Sequence, residues 1–131
     1  MTATLSYVVY AALWTLLSLL MGSIFRNRLW TPEGMKIGIG NRETPPVPNT
    51  LGGRADRAAM NTLENFVLFA ALALTAHVAG VDNARVALGA AIFFWARIAY
   101  TVVYLAGIPV VRTIIWAIGA VGLLMIASAM L

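Results

Sequence analysis

From Leu5 to Phe25 the chain carries no charged side chain over 21 consecutive positions. A bilayer core about 30 Å thick is crossed by roughly 20 helical residues, so this run predicts one transmembrane helix. No basic residue precedes it, no small-residue cleavage signal follows it, and Arg26 and Arg28 come directly after. A retained helix is therefore expected rather than a signal peptide. A second apolar run, residues 58–79, is interrupted by Asn61, Glu64 and Asn65. Gly80-Val81-Asp82-Asn83 then reads as a turn. A third run covers residues 84–106, with Arg97 in its interior, and Gly107 and Pro109 predict a tight hairpin into a fourth, residues 110–131, apolar after Arg112. The pattern predicts an all-α integral membrane four-helix bundle forming a single domain. Its one long connection, residues 26–54, holds Pro45, Pro46, Pro48 and several glycines, so no long helix is expected there.

Composition sharpens this picture. Of 131 residues, 61% are hydrophobic and 11% charged, whereas a soluble domain carries about 25% charged residues. The net charge of +4 resides mostly in one loop rather than in a basic helix or an aromatic-interleaved patch. That distribution points away from nucleic acid and toward an anionic membrane face or anionic ligand. Arg26, Arg28, Lys36, Arg42, Arg54 and Arg57 occupy the first loop and its flank, Arg112 falls on the same side, and only Arg85 lies opposite. The positive-inside rule then places loop 26–54 in the cytoplasm and both termini outside. Tyr7, Tyr10 and Trp30 suit interfacial aromatic belts. Without cysteine the chain has no disulfide, thiolate metal site or cysteine nucleophile, so thiol chemistry would need a ligand's thiol. His77, the one histidine, cannot build a metal site alone. Gly38 and Gly40 read as turn residues, and Trp14, Trp95 and Trp116 as packing or lipid-facing aromatics.

Charges inside a span cost at least a few kcal/mol and mark functional candidates. Here they recur at helical spacing. Arg57, Asn61 and Glu64 fall within roughly 60° on one helix face, and Arg97, Tyr100 and Tyr104 share an equally narrow face of the next span. Counted from the loop side at 1.5 Å per residue, Glu64 lies about 10 Å and Arg97 about 13 Å deep. The simplest expectation is a Glu64–Arg97 pair that holds two helices together. Pairing leaves Arg57, Asn61, Arg112 and the two tyrosines without a role. A polar pocket in the cytoplasmic half, suited to a zwitterionic ligand with more than one carboxylate, uses them all.

The segments Arg57-Ala-Ala-Met-Asn61-Thr-Leu-Glu64-Asn-Phe, Ala96-Arg97-Ile-Ala-Tyr100-Thr-Val-Val-Tyr104-Leu and Pro109-Val-Val-Arg112-Thr113 resemble the membrane-associated proteins in eicosanoid and glutathione metabolism. Order, spacing and topology agree over residues 54–131, and the four-span layout covers the remainder. The resemblance implies a homotrimer that binds glutathione between neighbouring subunits on the cytoplasmic side. By position it implies glutathione-binding roles for Arg57, Asn61, Glu64, Tyr100 and Tyr104, and a buried structural and binding role for Arg97. Arg112 resembles the arginine that stabilises the glutathione thiolate, and Arg26 a first-helix arginine contributed by an adjacent subunit. Met60, Asn65 and Val67 depart from the pattern, standing where many relatives have arginine, an aromatic residue and proline.

The expected activity is that of a glutathione-dependent transferase or peroxidase acting on a lipophilic small-molecule substrate delivered from membrane lipids. An alternative is a non-catalytic lipid-binding or scaffold protein of the same fold. A small multidrug transporter ranks last, because that class relies on a first-helix carboxylate and the first span here has no charge.

Overall fold

The computed structural model describes residues 1–131 as five helices: α1 (Ala3–Asn27), α2 (Pro32–Ile39), α3 (Thr50–Val78), α4 (Ala84–Ala106) and α5 (Pro109–Ser128). Four of them, α1, α3, α4 and α5, are long and apolar enough to cross a membrane. Their starts are written into local chemistry. The Thr2 hydroxyl accepts from the Leu5 amide, the Asn49 side chain from Gly52, and the Asn83 side chain from Arg85 and Val86. Each such cap satisfies an amide that the helix itself leaves unpaired. Gly107 closes α4 in the left-handed region (φ 79°), and Pro109 opens α5 in its first turn.

The sequence-based boundaries shift at three places. The second span, expected from residue 58, belongs to a helix that starts at Thr50. Its first turns carry Arg54, Asp56 and Arg57, so hydropathy marks where the chain enters the apolar layer while the Asn49 cap marks where the helix begins. The connection 26–54, where prolines argued against a long helix, contains the eight-residue α2; all three prolines fall in the irregular stretch between α2 and α3. The last helix ends at Ser128 rather than at residue 131.

α1 packs chiefly on α3, and α4 on α5. The buried stripe of α1 is built from small residues, Thr4, Ala11, Thr15, Ser18 and Gly22, and Gly22 lies against Ala55 and Ala59 of α3. In a lipid environment such small-residue seams let helix backbones approach and gain van der Waals contact. The hydroxyls of Thr15 and Ser18 donate to the carbonyls of Ala11 (2.7 Å) and Trp14 (2.8 Å), which removes the cost of burying them. Gly89 and Gly122 let α4 and α5 nearly touch: an added Cβ at either would lie 2.7 or 2.6 Å from the other's carbonyl oxygen.

The bundle is divided along its length. Toward the chain termini lies an apolar core in which Phe69 and Phe93 stack with ring centroids 4.4 Å apart, against Val86, Leu123 and Ile126. The other half, near the α1 exit and the α4–α5 hairpin, holds the polar residues of the candidate site. Each end is tied. The Thr4 hydroxyl donates to Asp82 at 3.2 Å at the terminal end. At the loop end Arg26 pairs with Asp56 at 2.8 Å, and the Asn49 amide nitrogen donates to the Phe25 carbonyl at 3.1 Å. Because Asn49 caps α3 and anchors it to α1 at once, Asn49→Ala is expected to cost about 2 kcal/mol, the upper end of the range for a cap. Unfolding in detergent measures this; an unchanged midpoint would show that water replaces both bonds. Large apolar side chains such as Leu16, Leu20, Leu68, Trp95 and Leu124 are exposed on the outer wall, as a protein solvated by lipid requires.

Candidate functional site

α3, α4 and α5 enclose a cleft of about 270 Å³ lined by Asn61, Tyr100, Tyr104, Arg112, Thr113 and Trp116. Tyr100 and Tyr104 lie one turn apart on α4, their rings edge to face at 5.6 Å. Tyr104 is gripped from two sides. The Arg112 guanidinium of α5 sits 4.4 Å from its ring centroid, and Arg57 Nε of α3 donates to its hydroxyl oxygen at 3.2 Å. The tyrosine thus spaces two cations and offers each a π face or an oxygen.

Behind the cleft lies Arg97, only 2% exposed. Its Nη1 donates to the Asn61 side-chain oxygen at 2.9 Å, and its guanidinium lies 4.5 Å from the Tyr100 ring and 5.8 Å from Phe93. Arginine only donates, so the oxygen of Asn61 must face it. Asn65 fixes that choice, donating to the backbone oxygen of Asn61 at 2.8 Å and to its side-chain oxygen at 3.3 Å. Gly119 of α5 lies beside the guanidinium, where an added Cβ would make an ordinary contact with Arg97 Nη2 at 3.5 Å. Arg97 Nε has no hydrogen-bond partner. The one ion pair in the chain joins Arg26 to Asp56, so Arg97 carries its charge on one amide and two rings. Removing the amide should be expensive. Asn61→Leu is expected to destabilise the protein by about 3 kcal/mol, because a buried cation loses its only hydrogen bond. Equilibrium unfolding checks the value; a change below about 1 kcal/mol would mean the two aromatic rings suffice.

The structure brings together Asn61, Tyr100, Tyr104 and Arg112, with Arg57 on the rim and Arg97 underneath. Neither Glu64 nor Arg26 lines the cleft. Glu64 is exposed on α3 and forms no ion pair with Arg97, so the simple pairing of two helices does not occur. Equal depth sets how far along its helix a residue sits, not the direction it faces, and Asn61 takes the guanidinium instead. Arg26 is held by Asp56, away from the cleft. Two lining residues had no assigned role in the sequence. Thr113, whose hydroxyl donates to the Pro109 carbonyl at 3.2 Å, was visible only as part of a motif. Trp116, read as packing or lipid-facing, stands one turn beyond Arg112, and that i, i+4 spacing is the signal that would have found it.

Larger hollows lie elsewhere. One of about 460 Å³ gathers Glu33 and Lys36 of α2 with Arg42 and Glu43 of the loop after it, with no contribution from a span. Another, about 470 Å³, is a wholly apolar groove along α4 and α5 that includes Trp95, Ile115 and Ile118. Only the smaller cleft joins cations, phenols and an amide from three spans.

Comparison with known proteins agrees with this layout. The model of the MAPEG family matches residues 3–131. No curated protein and no solved structure matches the chain. The family match covers all four spans and every residue of the cleft, and the chain belongs to the MAPEG family, membrane proteins of glutathione and eicosanoid metabolism.

Proposed function

We propose that the protein is a glutathione-dependent transferase or peroxidase that activates the glutathione thiol for attack on lipophilic electrophiles. One observation carries this reading: Arg57, Arg97 and Arg112 gather around Asn61, Tyr100 and Tyr104, and none of the three guanidinium groups is in an ion pair. Such a cluster within the membrane half of a bundle calls for an anionic ligand. Glutathione has two carboxylates for guanidinium groups and a thiol that the protein, lacking cysteine, does not supply. A thiol of pKa about 8.5 is mostly protonated near neutral pH, and an adjacent guanidinium favours its ionised form. Glutathione supplies the nucleophilic sulfur when bound. Arg112, at the start of α5 and stacked on Tyr104, stabilises its charge, while Arg57 holds a carboxylate, Arg97 holds Asn61 in place from beneath, and Asn61 and the tyrosines orient the peptide.

The proposed assembly is a trimer with the ligand between copies, the loop end facing the cytoplasm and both termini outside. Two features support it. The cleft of about 270 Å³ falls just below the range of about 300–1,000 Å³ common for complete small-molecule sites, so a further wall is needed. Glu64 is a carboxylate exposed within a span, at a cost of roughly 3 kcal/mol against lipid. A neighbouring subunit removes that cost and lets Glu64 accept from the ligand's ammonium group, with Arg26 reaching the same boundary. A second reading, a lipid-binding protein without thiol turnover, draws on the apolar groove of α4 and α5.

Thermal unfolding with glutathione and with its S-methyl analogue tests the proposal. Ligand at about 100-fold over Kd should stabilise the protein by about 2.7 kcal/mol. Stabilisation by both shows that the cleft holds the peptide. No shift with either sinks glutathione as the ligand and leaves the lipid-binding reading in front.

A further inference from the structure

We infer that α2 and the turn before it form an interfacial anchor, seated in the headgroup layer of the membrane that the four long helices cross. This surface lies outside the glutathione reading and stands without it.

The three flanks of α2 have different neighbours. Gly34 and Gly38 form the flank pressed against the end of α1: a Cβ at Gly34 would collide with the carbonyls of Asn27 and Arg28, and one at Gly38 with the Leu29 side chain. Glu33 and Ile37 form the second flank, which shares a hollow with Arg26, Pro46 and Val47 of the chain's own loop. The third flank, Met35 and Ile39, lies roughly 100° round from the glycines at 100° per residue. Nothing in the chain covers it, and Ile39 is 79% and Met35 44% exposed.

Trp30 shows which solvent this flank meets. It is 64% exposed and rests edge to face on Phe25, with ring centroids 6.3 Å apart. Phe25 belongs to the last turns of α1, whose outer wall exposes Leu16, Leu20 and Ile24. Trp30 therefore extends the lipid-facing wall of α1 past its end, and Met35 and Ile39 are the exposed large apolar residues of the helix that follows. A tryptophan at the end of a span, followed by a short helix with one apolar flank, is the form of an interfacial segment. Lys36, exposed beside Met35, can lay its alkyl stem on the apolar surface and reach lipid phosphates with its ammonium group. Glycines at positions 34 and 38 hold the helix flush with α1, which keeps its free flank at the depth where α1 leaves the hydrocarbon.

The chain has no cysteine, so Met35→Cys, Ile39→Cys and, as a contrast, Glu43→Cys can each be labelled singly with an environment-sensitive fluorophore. The full chain is placed in lipid nanodiscs and quenched either by lipids spin-labelled near the headgroup or by aqueous iodide. Unfolding midpoints equal to that of the unlabelled chain establish that the label leaves the fold intact. Expected is loss of most emission at positions 35 and 39 with spin-labelled lipid and little loss with iodide, with the reverse at position 43. Iodide quenching at 35 and 39 would overturn the inference in favour of a flank facing water. Protection from both quenchers would overturn it in favour of a contact between copies of the chain. Glutathione binding is absent from every arm, so failure here and failure of the proposed activity are separable.

Discussion

Replacing Arg112 by alanine is expected to lower glutathione-dependent turnover by about 100-fold, the typical effect of removing one group that stabilises charge at a reacting atom. Arg112 sits in the first turns of α5 and projects over the Tyr104 ring at 4.4 Å, on the wall of the cleft. Arg57, also a cation, is fixed to the hydroxyl of the same tyrosine, so under the proposed function it is left for a carboxylate and is not expected to take over the thiol. The loss should fall on kcat rather than on affinity. Arg112→Lys separates charge from shape: it keeps the cation but loses the flat stack on Tyr104, and intermediate turnover is expected. Steady-state kinetics with a lipophilic electrophile reads both variants. Equal kcat in wild type and Arg112→Ala would remove Arg112 from the chemistry.

The second large effect lies in the apolar half. At Gly122 an added Cβ would stand 2.6 Å from the Gly89 carbonyl oxygen and 3.0 Å from the Phe93 amide nitrogen. Both are backbone atoms of α4, so no side chain can swing aside; the helices must separate. Gly122→Leu is expected to cost about 3 kcal/mol, the upper part of the range for overpacking, and part of the Phe69–Phe93 stack beside it. Gly119→Ala is the control. Its Cβ meets Ala96 Cβ at 3.4 Å and Arg97 Nη2 at 3.5 Å, which are close to ordinary contacts. Unfolding in detergent should give a large loss for the first and a small one for the second. Similar losses would mean that any side chain on this face of α5 is disruptive.

Much of this layout is legible in the residues because a membrane imposes few options. Apolar runs of span length, broken by Gly80 to Asn83 and by Gly107 to Pro109, leave little freedom over helix number. The third span, 84–106, coincides with α4, since Asn83 and Gly107 supply both caps. Helix starts outside the apolar layer are less visible, which is why α3 begins at Thr50 and why α2 escapes a hydropathy reading. For the cleft, spacing placed Asn61 with Arg57 on α3 and Tyr100 with Tyr104 on α4. The partner of Arg97 could not follow from spacing: Asn61 and Glu64 lie on the same face, and the choice depends on how α3 and α4 are rotated. That rotation depends on how the small-residue seams at Ala59 and Gly22 and at Gly89 and Gly122 pack, which the spacing of the charges does not reveal. Trp116 stayed hidden because an exposed tryptophan on an apolar helix has an equally good reason to face lipid.

The most direct test follows the ultraviolet absorbance of the thiolate while glutathione is titrated into purified protein, wild type and Arg112→Ala in parallel. The expected result is a saturable thiolate signal in the wild type that disappears in Arg112→Ala, although the variant still binds the peptide. A flat trace in the wild type up to millimolar glutathione would contradict thiol activation by the arginine cleft.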